Sequence, residues 1–298
     1  MKKAEEQAVP SKAQDRLDVL AKIEQYEKEG KFDQNVEADI PAKVLMPEQI
    51  DYLRRSPLAK LKTYISYRMA RKFLIKITKE RLLIVKEVKG IENLNSLKTG
   101  AVITCNHFNP LDSFAIHSAL LQSTHRDGKK YLTKRRLYRV INEANYTTFP
   151  GFYGFLMRHF YTLPLSSNFS TMRKFRDAVN HFLKNGDFVL IYAEQAMWWN
   201  YKKPRPLKNG AFSFAARNDV PVLPMFITME DSDKIGPDGF PIQEYTIHIE
   251  KPIYPKPECV HGENVTYMMA ENERIWREIY EREYKIPLEF SCDKKDEE

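Results

Sequence analysis

Cysteine is scarce: Cys105, Cys259 and Cys292 are the only three in 298 residues. Their number is odd and their spacing fits no zinc site, which excludes a disulfide framework and points to a reducing compartment. Long apolar runs are absent too, so no transmembrane helix is expected. The opening MKKAEEQAVPSKAQDRLD lacks the apolar stretch of a signal peptide. No His/Asp/Glu grouping suggests a metal, and no internal repeat is found. Negative charge is in deficit: 40 acidic residues face 47 basic ones, for a net charge of +7. That balance favours an anionic partner, whether nucleic acid, an anionic membrane surface or a phosphorylated substrate. No nucleic-acid recognition motif accompanies the charge, so nucleic acid is not the expected partner. What is present is a hydrophobic content of 43%, with 12% aromatics, ample for a folded core.

Three regions follow from the patterning: residues 1–81, 82–255 and 256–298. The first is helical and strongly basic. One helix is predicted from 12 to 29, ending near Gly30, and the stretch with Pro41 and Pro47 wraps the surface. A second helix follows, with Leu58, Leu61, Ile65, Met69, Phe73 and Ile77 as an apolar stripe. Lys60, Lys62, Arg68, Arg71, Lys72 and Lys76 surround that stripe. A basic amphipathic helix suits an anionic bilayer, although a surface helix docked on the core reads the same way. From 82 onward β-type runs alternate with helical ones. Strands are predicted at 82–88, 101–105, 129–133, 160–165, 187–194, 220–227 and 245–251. Helices are predicted at 111–121, at RRLYRVINEA before residue 145, at 170–186 and at 211–218. This alternation predicts an α/β fold, a mixed β-sheet flanked by helices. The last region is a helix over 263–284 and a solvated tail.

The stretch TCNHFNPLDSF, residues 104–114, stands out. Helix capping explains most of it. Asn109 suits the N-cap, Pro110 the first helical position and Asp112 the first turn. It does not explain His107. A turn of this size can bring Asp112 back to the imidazole, giving a base and the carboxylate that orients it. No nucleophile accompanies the pair: Ser113 points elsewhere along the helix and Cys105 points into the core. The hydroxyl to be deprotonated then belongs to the substrate, as in direct acyl transfer from a thioester, whose thiolate leaves with little acid help.

Asn106-His107-x-x-x-x-Asp112 resembles the NHx4D motif of the PlsC-like glycerolipid acyltransferases. VKGIENL (88–94), IYAEQ (191–195) and KNGAFSFAARNDVPVLPMFI (208–227) resemble further blocks of that family, in the same order. The likeness spans roughly 82 to 255. It implies a glycerolipid acyltransferase-like fold with His107 as general base, Asp112 as its orienter, and Asn106 and Glu194 in the substrate site. It implies acyl-CoA or acyl-carrier protein as co-substrate and no cofactor. It also implies a lysolipid acceptor and peripheral attachment at the cytoplasmic face of a membrane. Two departures concern the acceptor. Where the family carries phosphate-binding arginines, this chain has Ser167 after a TLPLSS strand, and Met197 in Glu194-Gln195-Ala196-Met197. Either Lys202, Lys203, Arg205 or Lys208 replaces them, or Arg158 and Arg173 do, or the acceptor carries no phosphate, as in a glycolipid. Trp198 and Trp199 would then sit at the lipid headgroups, stack on a sugar, or simply pack in a loop. Hydrolysis of the thioester or lipid ester, and lipid binding without turnover, are the remaining readings. The absence of a GxSxG elbow argues against a covalent serine route.

Overall fold

The computed structural model describes residues 11–38, 41–122 and 135–293. The strand expected at 129–133 and His125 lie outside them, as does the tail beyond 293. In chain order the elements are α1 (Ser11–Lys28), α2 (Pro57–Lys79), β1 (Ile84–Lys89), β2 (Ala101–Thr104), α3 (Asp112–Gln122), β3 (Leu137–Ile141), α4 (Glu143–Thr147), α5 (Gly151–His159), β4 (Thr162–Pro164), α6 (Phe169–Lys184), β5 (Phe188–Ile191), α7 (Gly210–Asn218), β6 (Val222–Ile235), β7 (Pro241–Ile249) and α8 (His261–Tyr284).

The strands form one sheet in the order β1-β7-β6-β2-β5-β3-β4. From β6 to β4 all neighbours are parallel, β7 is antiparallel to β6, and β1 is parallel to β7. The mixed α/β sheet expected from the alternation of strands and helices is therefore observed. Its central strands are covered on both faces, which is why they read as continuous apolar runs. Side chains alternate between two cores. Val102, Val189, Val222 and Phe226 pack with α6, α7 and α8. Ala101, Ile103, Leu190, Leu223 and Met225 pack with α2 and α3 on the other face. Local signals fix the helix ends. Ser56 caps α2 by accepting from the Ala59 N–H at 3.1 Å, with Pro57 following. Asn168 caps α6 through the Thr171 N–H at 3.0 Å. Gly186 closes α6 at φ +84°, in the left-handed region that glycine enters without strain.

Two expectations need correction. RRLYRVINEA is not one helix: Leu137–Ile141 form strand β3, and only Glu143 onward is helical, as α4. Leu137, Tyr138 and Arg139 are all buried. An inward arginine in a strand covered on both faces hides the apolar run by which such a strand is recognised. In α2 the inner face is Thr63, Ser66, Ala70, Leu74 and Ile77. Leu58, Leu61 and Ile65 of the expected stripe are exposed, together with Tyr64 and Ile75. The helix thus carries two apolar faces, and small residues line the packed one.

The stretch from Pro41 to Ser56 is a strap. Its Leu45 and Tyr52 are buried. Leu45 N–H donates to Glu143 of α4 at 2.6 Å, and the Tyr52 hydroxyl donates to Pro164 O of β4 at 2.7 Å.

Candidate active site

The site forms where β2 and β5 end side by side, with Thr104 opposite Ile191. Carboxyl ends of parallel strands are the usual place for ligands in open α/β sheets. Beyond Thr104 the chain leaves the sheet, and Asn106 fixes its exit. The Asn106 amide donates to Ile227 O at 3.0 Å and its oxygen accepts from Ile227 N–H at 2.8 Å, like one more rung of the ladder to β6. Asn106 is buried and so acts as a tie.

His107 follows. Its Nδ1 lies 2.7 Å from Asp112 Oδ2. A carboxylate only accepts, so Nδ1 carries a proton toward it, which in the neutral ring leaves the lone pair on Nε2. The imidazole is 22% exposed and the carboxylate 2%. One member of the pair is open to substrate, and the other is walled in. Asp112 is held from several sides. It accepts from the Phe108 N–H at 3.3 Å and from the Tyr192 hydroxyl. Asn109 caps the helix start, its side-chain oxygen taking the Leu111 N–H at 3.0 Å. The Tyr192 ring stacks on His107 at 3.9 Å and 14°. Burial, then Asp112, pushes the Tyr192 phenol well above its ordinary pKa, so it stays protonated and donates. Burial likewise raises the Cys105 thiol, with Asp112 and Glu194 adding to it, so no thiolate forms there. The arrangement is an imidazole hydrogen-bonded to a buried carboxylate, with the neighbouring Cys105 kept as a thiol.

A family model described as Acyltransferase matches residues 86–228. No curated protein matches the chain. Among solved structures, the 1-acyl-sn-glycerophosphate acyltransferase PlsC from Thermotoga maritima is similar, with 17% identity over 89% of this chain and 95% of that one and a TM-score of 0.49.

Glu194, expected at the substrate, is buried in the wall behind His107. One oxygen accepts from the Arg205 N–H at 2.8 Å. The other accepts from the His107 N–H at 3.0 Å and from Arg205 Nη2 at 3.0 Å. Arg205 and Glu194 side chains are 1% and 2% exposed. Arg205 also donates to Phe32 O at 2.8 Å and to Ala196 O, and it lies over the Trp198 ring. It cannot double as a phosphate reader. Four of the other proposed cations have neighbours of their own, and Arg173 is exposed on α6. Lys203 pairs with Glu27 at 2.6 Å and Lys208 with Asp33 at 2.9 Å, while Lys202 sits 5.7 Å from the Tyr284 ring. Arg158 donates to Phe149 O at 3.1 Å. At the strand end where an arginine was expected, Ser166 and Ser167 both donate to Glu143, at 2.7 and 3.1 Å. Gln195 holds φ +67°. The tryptophans do not reach out: both are buried, Trp198 against Phe32 and Trp199 against Phe240 and Arg16. Trp198 N–H and Asn200 N–H donate to His107 O and Phe108 O at 3.1 and 2.9 Å, so this loop holds the histidine in place.

Tyr192 escaped the sequence reading. A tyrosine at the end of an apolar strand looks like core, and only its register two residues before Glu194 hinted at the site.

Proposed function

We propose that the protein transfers a fatty acyl group from a thioester donor, acyl-CoA or acyl-carrier protein, to the hydroxyl of a lysophospholipid of the 1-acyl-glycerol-3-phosphate type, at a membrane surface. The observation that carries this is the His107–Asp112 pair beside Tyr192, with the neighbouring Cys105 buried and held as a thiol. His107 Nε2 takes the acceptor proton as the oxygen attacks the thioester carbon. The C–S bond breaks and the thiolate leaves, and the imidazolium formed is stabilised by Asp112. Tyr192 keeps the carboxylate in place. Membrane attachment is supported by α2, whose exposed Leu58, Leu61, Tyr64 and Ile65 lie beside exposed Lys60, Arg68, Arg71 and Lys72. Phe152 and Tyr153 of α5 extend that apolar surface. No helix among the described residues is long and apolar enough to cross a membrane.

The test is transfer of labelled acyl groups from acyl-CoA and acyl-carrier protein to a panel of lysolipids, with His107→Ala in parallel. Loss of about 10²- to 10⁴-fold in the variant is expected. Transfer that persists in His107→Ala, or that wild-type protein fails to perform on every acceptor, refutes the reading.

A further inference from the structure

On β3, next to the strand that leads to Tyr192, lies a charge that the mechanism does not use. Arg139 of β3 is 5% exposed. Its Nη1 donates to Leu137 O at 3.2 Å, and its Nε and Nη2 have no partner. Its guanidinium lies 4.4 Å over the Phe160 ring. Among the described residues no carboxylate pairs with it. The buried arginine of the Glu194 strut is paired, and Arg54 donates to Tyr52 O and Thr162 O at 2.8 and 2.7 Å. His117 of α3 adds to the anomaly. It is 5% exposed, its ring is 5.5 Å from that of Phe160, and its Nδ1 has no partner either. Three polar atoms are thus orphaned around one phenylalanine. Buried donors are normally satisfied, and a group that is not asks for a ligand.

Position says which ligand. Arg139 pairs in register with Leu190 of β5. Tyr192, two residues on, projects from the same sheet face and carries the bond to Asp112. In a 1-acyl-glycerol 3-phosphate the phosphate is one carbon from the carbon bearing the reactive hydroxyl. In an acyl-CoA a long pantetheine arm separates the phosphates from the thioester. An anion held on β3, two strands over from β2 and its histidine and next to the strand that leads to Tyr192, therefore belongs to the acceptor.

We propose that Arg139, assisted by His117 Nδ1, is the acceptor-phosphate subsite, replacing the arginines absent at Ser167 and Met197. The proposal rests on the acyl-transfer reading and adds a specificity residue to it. The guanidinium offers two unpaired N–H groups, the fork that phosphate oxygens accept. Phe160 covers the subsite, and phosphate entry displaces that ring.

Two measurements test it on the whole protein. The first needs no turnover: thermal unfolding with a soluble short-chain 1-acyl-glycerol 3-phosphate, the matching monoacylglycerol, or CoA. The phosphate compound is expected to stabilise wild type and His107→Ala, to leave Arg139→Gln unshifted and to stabilise Arg139→Lys less than wild type. An equal shift in Arg139→Gln, protection by CoA alone, or no protection of wild type overturns the subsite. The second is kinetic. Arg139→Gln should raise KM for the phosphate acceptor about 10- to 150-fold, with the KM for the donor and transfer to monoacylglycerol unchanged. An equal fall for both acceptors marks a structural role and refutes the subsite. If Arg139→Gln does not fold, Arg139→Lys, which keeps the charge without the fork, supplies both comparisons. Phosphate-dependent protection without any transfer would keep the subsite and sink the transferase reading instead.

Discussion

Glu194 is where a substrate role and a structural role make opposite forecasts. The perturbation is Glu194→Gln, which keeps shape and removes charge. Arg205 then remains buried without its counter-ion, at a site where both side chains are almost fully enclosed. At 3.0 Å and an effective dielectric of about 20, the lost attraction is ~5 kcal/mol. Breaking one partner of a buried pair costs about 3–5 kcal/mol by experience, in agreement. The amide can accept on one side only, so His107 N–H and Arg205 Nη2, or else Arg205 N–H, lose their acceptor as well. At roughly 2–4 °C per kcal/mol for a protein near this size, the midpoint should fall by roughly 6–20 °C. Thermal and urea unfolding followed by near-UV circular dichroism read this directly. The double change Glu194→Leu with Arg205→Met should recover much of the loss, because a buried pair replaced whole by apolar groups is often neutral. If Glu194→Gln unfolds within 1 °C of wild type and instead raises the acceptor KM, the strut assignment is wrong and Glu194 contacts substrate.

Tyr192→Phe removes one bond to Asp112 while keeping the stack on His107, so kcat should drop about 10- to 100-fold with KM little changed; an unaltered kcat refutes the support role. Glu143 gives a pH signature. Burial raises its pKa, but the bonds from Leu45 N–H, Ser166 and Ser167 outweigh that and hold the carboxyl below its ordinary 4.5. A depressed carboxylate contributes stability above its unfolded pKa and loses it as pH falls through the folded one. The stability gap between wild type and Glu143→Gln, from urea unfolding, should therefore be widest near neutrality and shrink below about pH 4.5; a gap constant down to pH 3 contradicts this. Leu61→Glu with Ile65→Glu, both exposed on α2, should abolish co-sedimentation with anionic vesicles and leave the unfolding midpoint in place. Undiminished vesicle binding removes α2 as the docking face.

The parts legible in the sequence are those set by neighbours along the chain. Asn109, Pro110 and Asp112 announce a helix start, and the surplus histidine before them exposes the dyad. FVLI and AVIT show their strands because both faces are buried. What stayed hidden depends on residues distant in sequence. That Asn106 ties to Ile227, or that Glu194 spans His107 and Arg205, follows from strand order, which periodicity does not contain. Exposed-looking basic residues after Glu194 suggested a phosphate clamp, yet Glu27 and Asp33 from the N-terminal region meet two of them. The aromatic MWWNY was equally ambiguous, since an interfacial anchor and an inward loop share one composition. α2 misled because the first half of its packed face is Thr63, Ser66 and Ala70, with Leu74 and Ile77 only at its end, while Leu58, Leu61 and Ile65 face outward.

The loop around His107 is steadied by Glu194 and Trp198, and these in turn by Arg205, Phe32 and Gln34. Glu27, which holds Lys203 and Tyr201 of the same loop, also takes the Ser291 N–H. During synthesis these contributors emerge from the ribosome far apart in time. A nascent chain halted before residue 194 already contains the base and its carboxylate, but not the acid that fixes the base's backbone. Assembly of the His107 loop is therefore a late event in the life of each molecule, and truncated translation products should leave that loop unfixed even when their sheet has begun to form.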